Sequence, residues 1–283
     1  MQIIRDAMSL SSNRNFNYGD GCFTTMRVES GRVEFLSSHL TRLQHDSAKL
    51  MITQIDWSEV MQVIEDMAKK MQAGVLKVLI CRGEGGRGYD PKGVNEPLVY
   101  CSSYPMPTLN TQPLSVAIAQ GYLSTQPMLA GSKHCNRLEN VLFKQQANHL
   151  GVDDVICLDQ KHNVVEATSA NILWYFDDRW HIPHIENAGV AGILRAQLIE
   201  SFQLYDVPFV VGDYGVIDLA KADTVVLCNC VRHLQVVNEL RLPINNTQNM
   251  ASMSEEDNII FANSKFQSLQ QHWQIYLSQL TQW

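Results

Sequence analysis

Apolar and polar positions along this chain follow two periods, and the switches between them outline its elements. Cys22-Phe-Thr-Thr-Met-Arg-Val28 alternates as a half-buried strand does, after the turn cluster Asn17-Tyr-Gly19-Asp-Gly21. Glu29-Ser-Gly31-Arg turns the chain into Val33-Glu-Phe-Leu36, so residues 1–36 read as strands and turns. Ser37 or Ser38 then stands where it can cap a helix whose apolar face is Leu40, Leu43, Ser47 and Leu50. A second helix is predicted from about Trp57 to Met71, with Val60, Met61, Ile64, Met67 and Met71 on one face. Strands at Val75–Arg82 and from Leu98 flank a glycine-rich loop, Gly83-Glu-Gly-Gly-Arg87-Gly-Tyr89-Asp-Pro91.

The proline-rich, polar stretch that follows divides the chain into an N-terminal domain at 1–106, a linker at 107–113 and a C-terminal domain at 114–283. In the second part, Ser115–Ala119 is a strand. Asn136 and Glu139 have capping-box spacing, and Leu138, Val141 and Leu142 predict the buried face of a helix reaching about Leu150. Asp154–Asp159 with Val164-Val165, and Asn171–Phe176 with Trp180–Ile182, read as hairpins. Gly189-Val-Ala-Gly192 precedes a helix carrying Ile193, Leu194, Leu198, Ile199 and Phe202. Strands follow at Phe209–Val211 and Thr224–Cys228, and a last helix runs from about Ile259 to Leu280. Mixed hairpins and helices of this kind predict two α+β domains rather than a regular βαβ array.

Composition narrows the function. The chain has 283 residues, of which 45% are hydrophobic and 18% charged, enough to bury a sizeable core. Its formal net charge of −7 argues against nucleic acid or anionic membrane as the main partner, while leaving room for a small anionic substrate. No apolar run approaches the ~20 residues of a membrane span, and the first residues lack a signal-peptide pattern. The seven cysteines contain no C-x-x-C pair and lie mostly in apolar runs, which points to core residues in a reducing, cytoplasmic setting. Dispersed histidines give no metal-ligand spacing, and no G-x-S-x-G elbow is present.

Five places invite chemistry. Lys133, in Leu129-Ala-Gly-Ser-Lys133-His-Cys-Asn136, lies just ahead of a helix start, where the dipole gives a cation no stability. It is either a solvated surface lysine or a Schiff-base lysine in a partly desolvated setting. Gly192-Ile193-Leu194 opens a helix and can cradle a phosphate with backbone N–H groups. Arg42 is either a snorkelling surface arginine or part of an anion site. Glu166 is either an exposed strand-end carboxylate or one that faces a pyridine nitrogen across the small residues Ala167–Ala170. On the glycine-rich loop, Arg87 is suited to clamp a carboxylate or simply to sit in solvent.

Taken in order, these pieces resemble the fold-type IV pyridoxal-phosphate enzymes over most of the chain, from Tyr18 to about Val237. Phe16-Asn-Tyr-Gly-Asp-Gly-Cys-Phe-Thr-Thr25, Lys77-Val-Leu-Ile-Cys-Arg-Gly-Glu-Gly-Gly-Arg-Gly-Tyr89 and Leu129–Glu139 are most similar to that family's 4-amino-4-deoxychorismate lyase subgroup. The resemblance implies pyridoxal 5'-phosphate as cofactor, bound covalently by Lys133, with Glu166 on the pyridine nitrogen. It assigns the phosphate to Arg42 and the backbone of Ile193 and Leu194, places Asn171 near the cofactor, and places Asn229 and Cys230 on the phosphate and substrate side. Thr25 stands where the aminotransferases usually carry glycine, and is expected to assist the chemistry or shape the pocket. Arg87 and Tyr89 match a carboxylate trap that in the family can reach a neighbouring subunit, which implies a homodimer. The implied reaction is elimination giving 4-aminobenzoate and pyruvate toward folate. The alternative is an aminotransferase acting on branched-chain or D-amino acids, although position 138 is leucine where branched-chain aminotransferases place tyrosine.

Overall fold

The alternating stretch after Asp20 forms a nine-residue strand whose inward positions, Cys22, Thr24, Met26 and Val28, are buried while Phe23, Thr25 and Arg27 are half-exposed. This architecture comes from a computed structural model that describes residues 2–5, 12–86, 88–108, 112–242 and 258–280. Contacts divide the chain into two units: residues 1–108, 132–137 and 281–283 form the first, and 109–131 and 138–280 the second. Lys133, assigned from the sequence to the C-terminal domain, is thus grouped with the first unit.

Unit 1 contains β1 (Gln2–Arg5), α1 (Arg14–Tyr18), β2 (Gly21–Glu29), β3 (Arg32–Val33), α2 (Leu36–Lys49), α3 (Trp57–Met71), β4 (Gly74–Cys81) and β5 (Leu98–Tyr104). The sheet order is β1-β5-β4-β2-β3, antiparallel except for the β1–β5 pair. Its core joins Met26, Val28, Leu76, Val78 and Ile80 of the sheet to Leu43, Val60, Val63 and Ile64 of the two long helices. Two local expectations are corrected. Asn13 caps the five-residue α1 inside a stretch expected to hold strands and turns. Ser37 and Ser38 do not cap α2, because the helix starts at Leu36 after Phe35, which has a left-handed φ of 55° and no side-chain cap bond.

Unit 2 contains β6 (Leu114–Tyr122), α4 (Leu138–Leu150), β7 (Asp154–Leu158), β8 (Val164–Ala167), β9 (Asn171–Phe176), β10 (Arg179–Pro183), α5 (Ile193–Leu204), β11 (Phe209–Gly212), α6 (Val216–Ala220), β12 (Thr224–Asn229), β13 (His233–Arg241), β14 (Ile259–Ile260) and α7 (Phe266–Gln279). The strand path β9-β12-β13-β6-β7-β8 returns to β9 through the Glu166–Asn171 pair, so six strands close a small barrel. Ile118, Ile156, Val164, Ile172, Trp174, Leu227 and Val237 belong to its main apolar cluster. The predicted last helix begins seven residues late. Ile259-Ile260 pairs with β13, and Asp223 then accepts bonds from the Ser264 N–H and hydroxyl, turning the chain before α7.

The largest correction concerns α4. It buries Phe143 and Ala147 against Ala117, Val155 and Cys157, four residues apart on one side. Leu138, Val141 and Leu142 face outward instead, 71%, 60% and 53% exposed. The expected capping box is absent too: the Asn136 side-chain amide donates to the Gly19 carbonyl, and Glu139 accepts from the Ser124 N–H and hydroxyl.

Candidate active site

In unit 1 the Lys133 segment is pinned by its main chain. The Lys133 N–H donates to Asp46 Oδ2 at 2.8 Å, and its carbonyl accepts the Phe23 N–H at 2.9 Å. Arg137 clamps the same turn by donating to the Ser132 and His134 carbonyls, and the Cys135 N–H donates to the Gly21 carbonyl. The half-buried lysine lies over the Phe23 ring, with Nζ 4.8 Å from the centroid, and Lys77 Nζ stands 4.7 Å from that centroid. Thr25 shares the Phe23 face two residues on and lies opposite Lys77 in the β2–β4 register. The lysine is thus held along apolar surface with its backbone immobilised on both sides.

Helix α2 supplies the charges around it. Arg42 Nε lies 3.6 Å from Asp46 Oδ2 one turn later, and Asp46 is fully buried. His39, on the same helix, places Nδ1 2.6 Å from Thr24 Oγ1. Burial, reinforced by Arg42 and Lys133, lowers the His39 pKa to about 3, so the imidazole is neutral at physiological pH. Burial and then Arg137 lower His134 to about 4.

Unit 2 holds the second cluster. Glu166 and Asn171 are opposite one another across β8 and β9, and together they fasten a single residue. Glu166 Oε2 accepts the Val190 N–H at 2.9 Å, while Asn171 Nδ2 donates to the Val190 carbonyl at 2.8 Å. Gly189 is forced by this approach, since a Cβ there would stand 2.7 Å from Val165 Cγ1 and 3.3 Å from the Glu166 carboxylate. Helix α5 starts at Ile193, three residues after Val190, without a side-chain cap, a helix start of the kind that can hold an anion. Asn229 accepts the Val231 and Arg232 N–H groups and donates to the Ser169 carbonyl, so it shapes the turn that Glu166 and Asn171 flank. Cys230 is buried, and burial pushes its neighbour Cys228 up to about 12, leaving no thiolate at neutral pH.

Unit 1 thus brings together Lys133, Thr25 and Arg42, and unit 2 brings together Glu166, Asn171, Asn229, Cys230, Ile193 and Leu194. Tyr89 is 88% exposed, edge-on to Tyr18 at 5.6 Å, and its carbonyl accepts from the buried Arg14. Arg87 lies outside the described residues. Arg14 escaped the sequence reading although it also bonds Asp20 and the Gly88 and Asp90 carbonyls, which makes it the organiser of the glycine-rich loop. Asp46 escaped as well, and its signal was the i, i+4 spacing from Arg42 on one helix face.

Comparison with known proteins places the chain in a family. The family model for Amino-transferase class IV matches residues 21–240. A Vibrio harveyi protein named aminodeoxychorismate lyase is 33% identical over 237 residues, 82% of this chain and 88% of that one. The crystal structure of 4-amino-4-deoxychorismate lyase from Pseudomonas aeruginosa matches with a TM-score of 0.84 and 31% identity, over 95% of this chain and 96% of that one. A hypothetical aminotransferase from Mycobacterium tuberculosis, in its PLP-bound form, matches with a TM-score of 0.74 over 83% of this chain and 86% of that one. At 19% identity, that last likeness is one of fold alone.

Proposed function

Since the chain belongs to the class IV amino-transferase family, we propose that it is a pyridoxal 5'-phosphate enzyme that converts 4-amino-4-deoxychorismate to 4-aminobenzoate and pyruvate, a step toward folate. The 33% identity to the Vibrio harveyi lyase across most of both chains carries the choice of reaction. The geometry supports the cofactor: a backbone-pinned lysine, a buried carboxylate, a half-buried arginine and an uncapped helix start are the kinds of donor this group needs.

Bound pyridoxal phosphate supplies an electron sink for the bond broken at the amine-bearing carbon. The protein's own groups do the rest. Lys133 would be the residue that attaches the cofactor, and its amine would take the proton from that carbon and return one to the departing enolpyruvyl group. Glu166 keeps the pyridine nitrogen protonated. By their places in the family pattern, Arg42 would bind the phosphate, as would the N–H groups of Ile193 and Leu194, and Asn171, Asn229 and Cys230 would line the cofactor. Thr25 orients the substrate beside Lys133, and Arg87 with Tyr89 binds a substrate carboxylate. Aromatisation of the ring drives the reaction, so positioning and proton transfer are the main demands on the site.

The protein acts as a homodimer in the cytoplasm. Six of the seven cysteines are buried as core thiols, which supports the compartment, and the outward Leu138, Val141 and Leu142 stripe on α4 supports self-association. Among the described residues, no helix is long and apolar enough to cross a membrane. The deciding experiment supplies aminodeoxychorismate without any keto acid and follows both products. Stoichiometric pyruvate and 4-aminobenzoate are expected. No release, together with amino-acid-driven conversion of the cofactor to its amine form, would replace the lyase by an aminotransferase.

A further inference from the structure

Asp46 is a buried carboxylate to which the proposed chemistry gives no part. It sits one turn after Arg42, and its Oδ2 meets two partners: the Lys133 main-chain N–H at 2.8 Å and the Arg42 guanidinium, whose Nε is 3.6 Å away. Oδ1 lies 3.0 Å from His45 Nδ1. An ionised group without solvent is retained only when paired and hydrogen-bonded, and Asp46 satisfies both conditions through the two residues assigned to the cofactor's reactive and phosphate ends.

From this we infer that Asp46 is a positioning residue for Lys133, held in place by Arg42. The inference rests on the reading of Lys133 as the cofactor-attaching lysine. The Lys133 carbonyl is fixed by Phe23, so the Asp46 bond immobilises the other side of the same residue and restricts where the side chain can aim. Arg42 then has two tasks. It binds phosphate, and by pairing with Asp46 it keeps the tether straight even when no phosphate is present.

That second task gives the test its edge. Pyridoxal lacks the phosphate, so an arginine that serves phosphate alone has no effect on its reaction with Lys133. The rate of pyridoxal attachment is measured from pH 7 upward until it levels off, by borohydride trapping and peptide mass at Lys133, on variants checked for folding by thermal melting. Misplaced reactive groups lose on the order of 100-fold. Asp46→Ala is therefore expected to lower the high-pH plateau, where the lysine is fully deprotonated, by roughly 10- to 100-fold. Arg42→Gln should lower it too, and Asp46→Asn, which keeps an oxygen for the N–H bond, should recover most of the loss. A mere change of charge moves the midpoint of the profile and spares the plateau. Wild-type plateaus in Asp46→Ala and Arg42→Gln overturn the inference. If either single variant fails to fold, the Arg42→Gln/Asp46→Leu double variant removes both charges and the acceptor oxygen at nearly constant volume, and a wild-type plateau there overturns it equally. A wild-type protein in which pyridoxal 5'-phosphate does not label Lys133 overturns the cofactor reading and this inference with it. Labelled wild type with unaffected variants overturns the inference alone.

Discussion

Gly192→Ala is the most exacting test of the unit 2 cluster. Gly192 has φ −59° and ψ 140°, which alanine adopts freely, so the substitution adds no backbone strain. Its effect lies in contact: the new Cβ would stand 1.9 Å from Asn171 Oδ1 and 3.1 Å from Cγ. Asn171 has to retreat by roughly 1 Å or more, and with it goes the bond to the Val190 carbonyl. Overpacking of this kind costs about 1–3 kcal/mol, and the lost hydrogen bond adds about 1 kcal/mol. A total of about 2–4 kcal/mol corresponds to a melting point lower by roughly 5–15 °C for a unit of this size. Thermal unfolding measured in two backgrounds isolates the contact. With Asn171→Ala already present the obstruction is gone, so Gly192→Ala should cost less there by at least about 1 kcal/mol. Any change in capping preference is common to both backgrounds and cancels. Equal cost in the two backgrounds would refute the packing argument.

Three further outcomes are expected. Lys133→Ala should abolish turnover with the fold retained, and turnover at the wild-type rate in that variant would sink the proposed mechanism. Val141→Glu on the exposed face of α4 should shift the protein toward monomer in sedimentation velocity, and an unchanged sedimentation coefficient would remove that face from the interface. Buried His39 titrates near 3 when folded and near 6.5 when unfolded. As pH falls below about 6.5 the unfolded chain takes up a proton that the folded chain refuses, so stability should decline toward acid and stay flat above. The slope is at most about 1.4 kcal/mol per pH unit. Urea titrations of His39→Gln should show a shallower acid limb than wild type.

Much of the fold was legible because long elements carry their own pattern. Helix α3 runs from Trp57 to Met71 as its spacing predicted, and the hairpins of unit 2 fall where alternation placed them. What failed was either short or decided at a distance. The five residues of α1 are too few for periodicity to register. Strand β13 pairs with three neighbours and shifts register between Val237 and Glu239, which blurs its alternation. The outward turn of Leu138, Val141 and Leu142 could not be read from spacing, which identifies an apolar stripe without saying what covers it. Candidate residues were visible one at a time, while the contacts joining them were not. The Asp46–Lys133 bond spans 87 residues, and Val190 has no side-chain chemistry to announce that Glu166 and Asn171 both fasten it.

That shared fastening has an evolutionary consequence. Polar groups gathered for catalysis are commonly a burden on folding, so their loss tends to stabilise an enzyme and smooths its drift toward inactivity. Here Glu166 and Asn171 also close the barrel and hold the Val190 peptide from both sides. Truncating either leaves a part-buried backbone group of Val190 without its partner, at about 1 kcal/mol or more. A duplicated copy freed from selection for activity would gain no stability by discarding them. Retention of this pair in a degenerating relative would therefore be evidence of folding rather than of turnover, and the loss of Lys133 would be the earlier mark of decay.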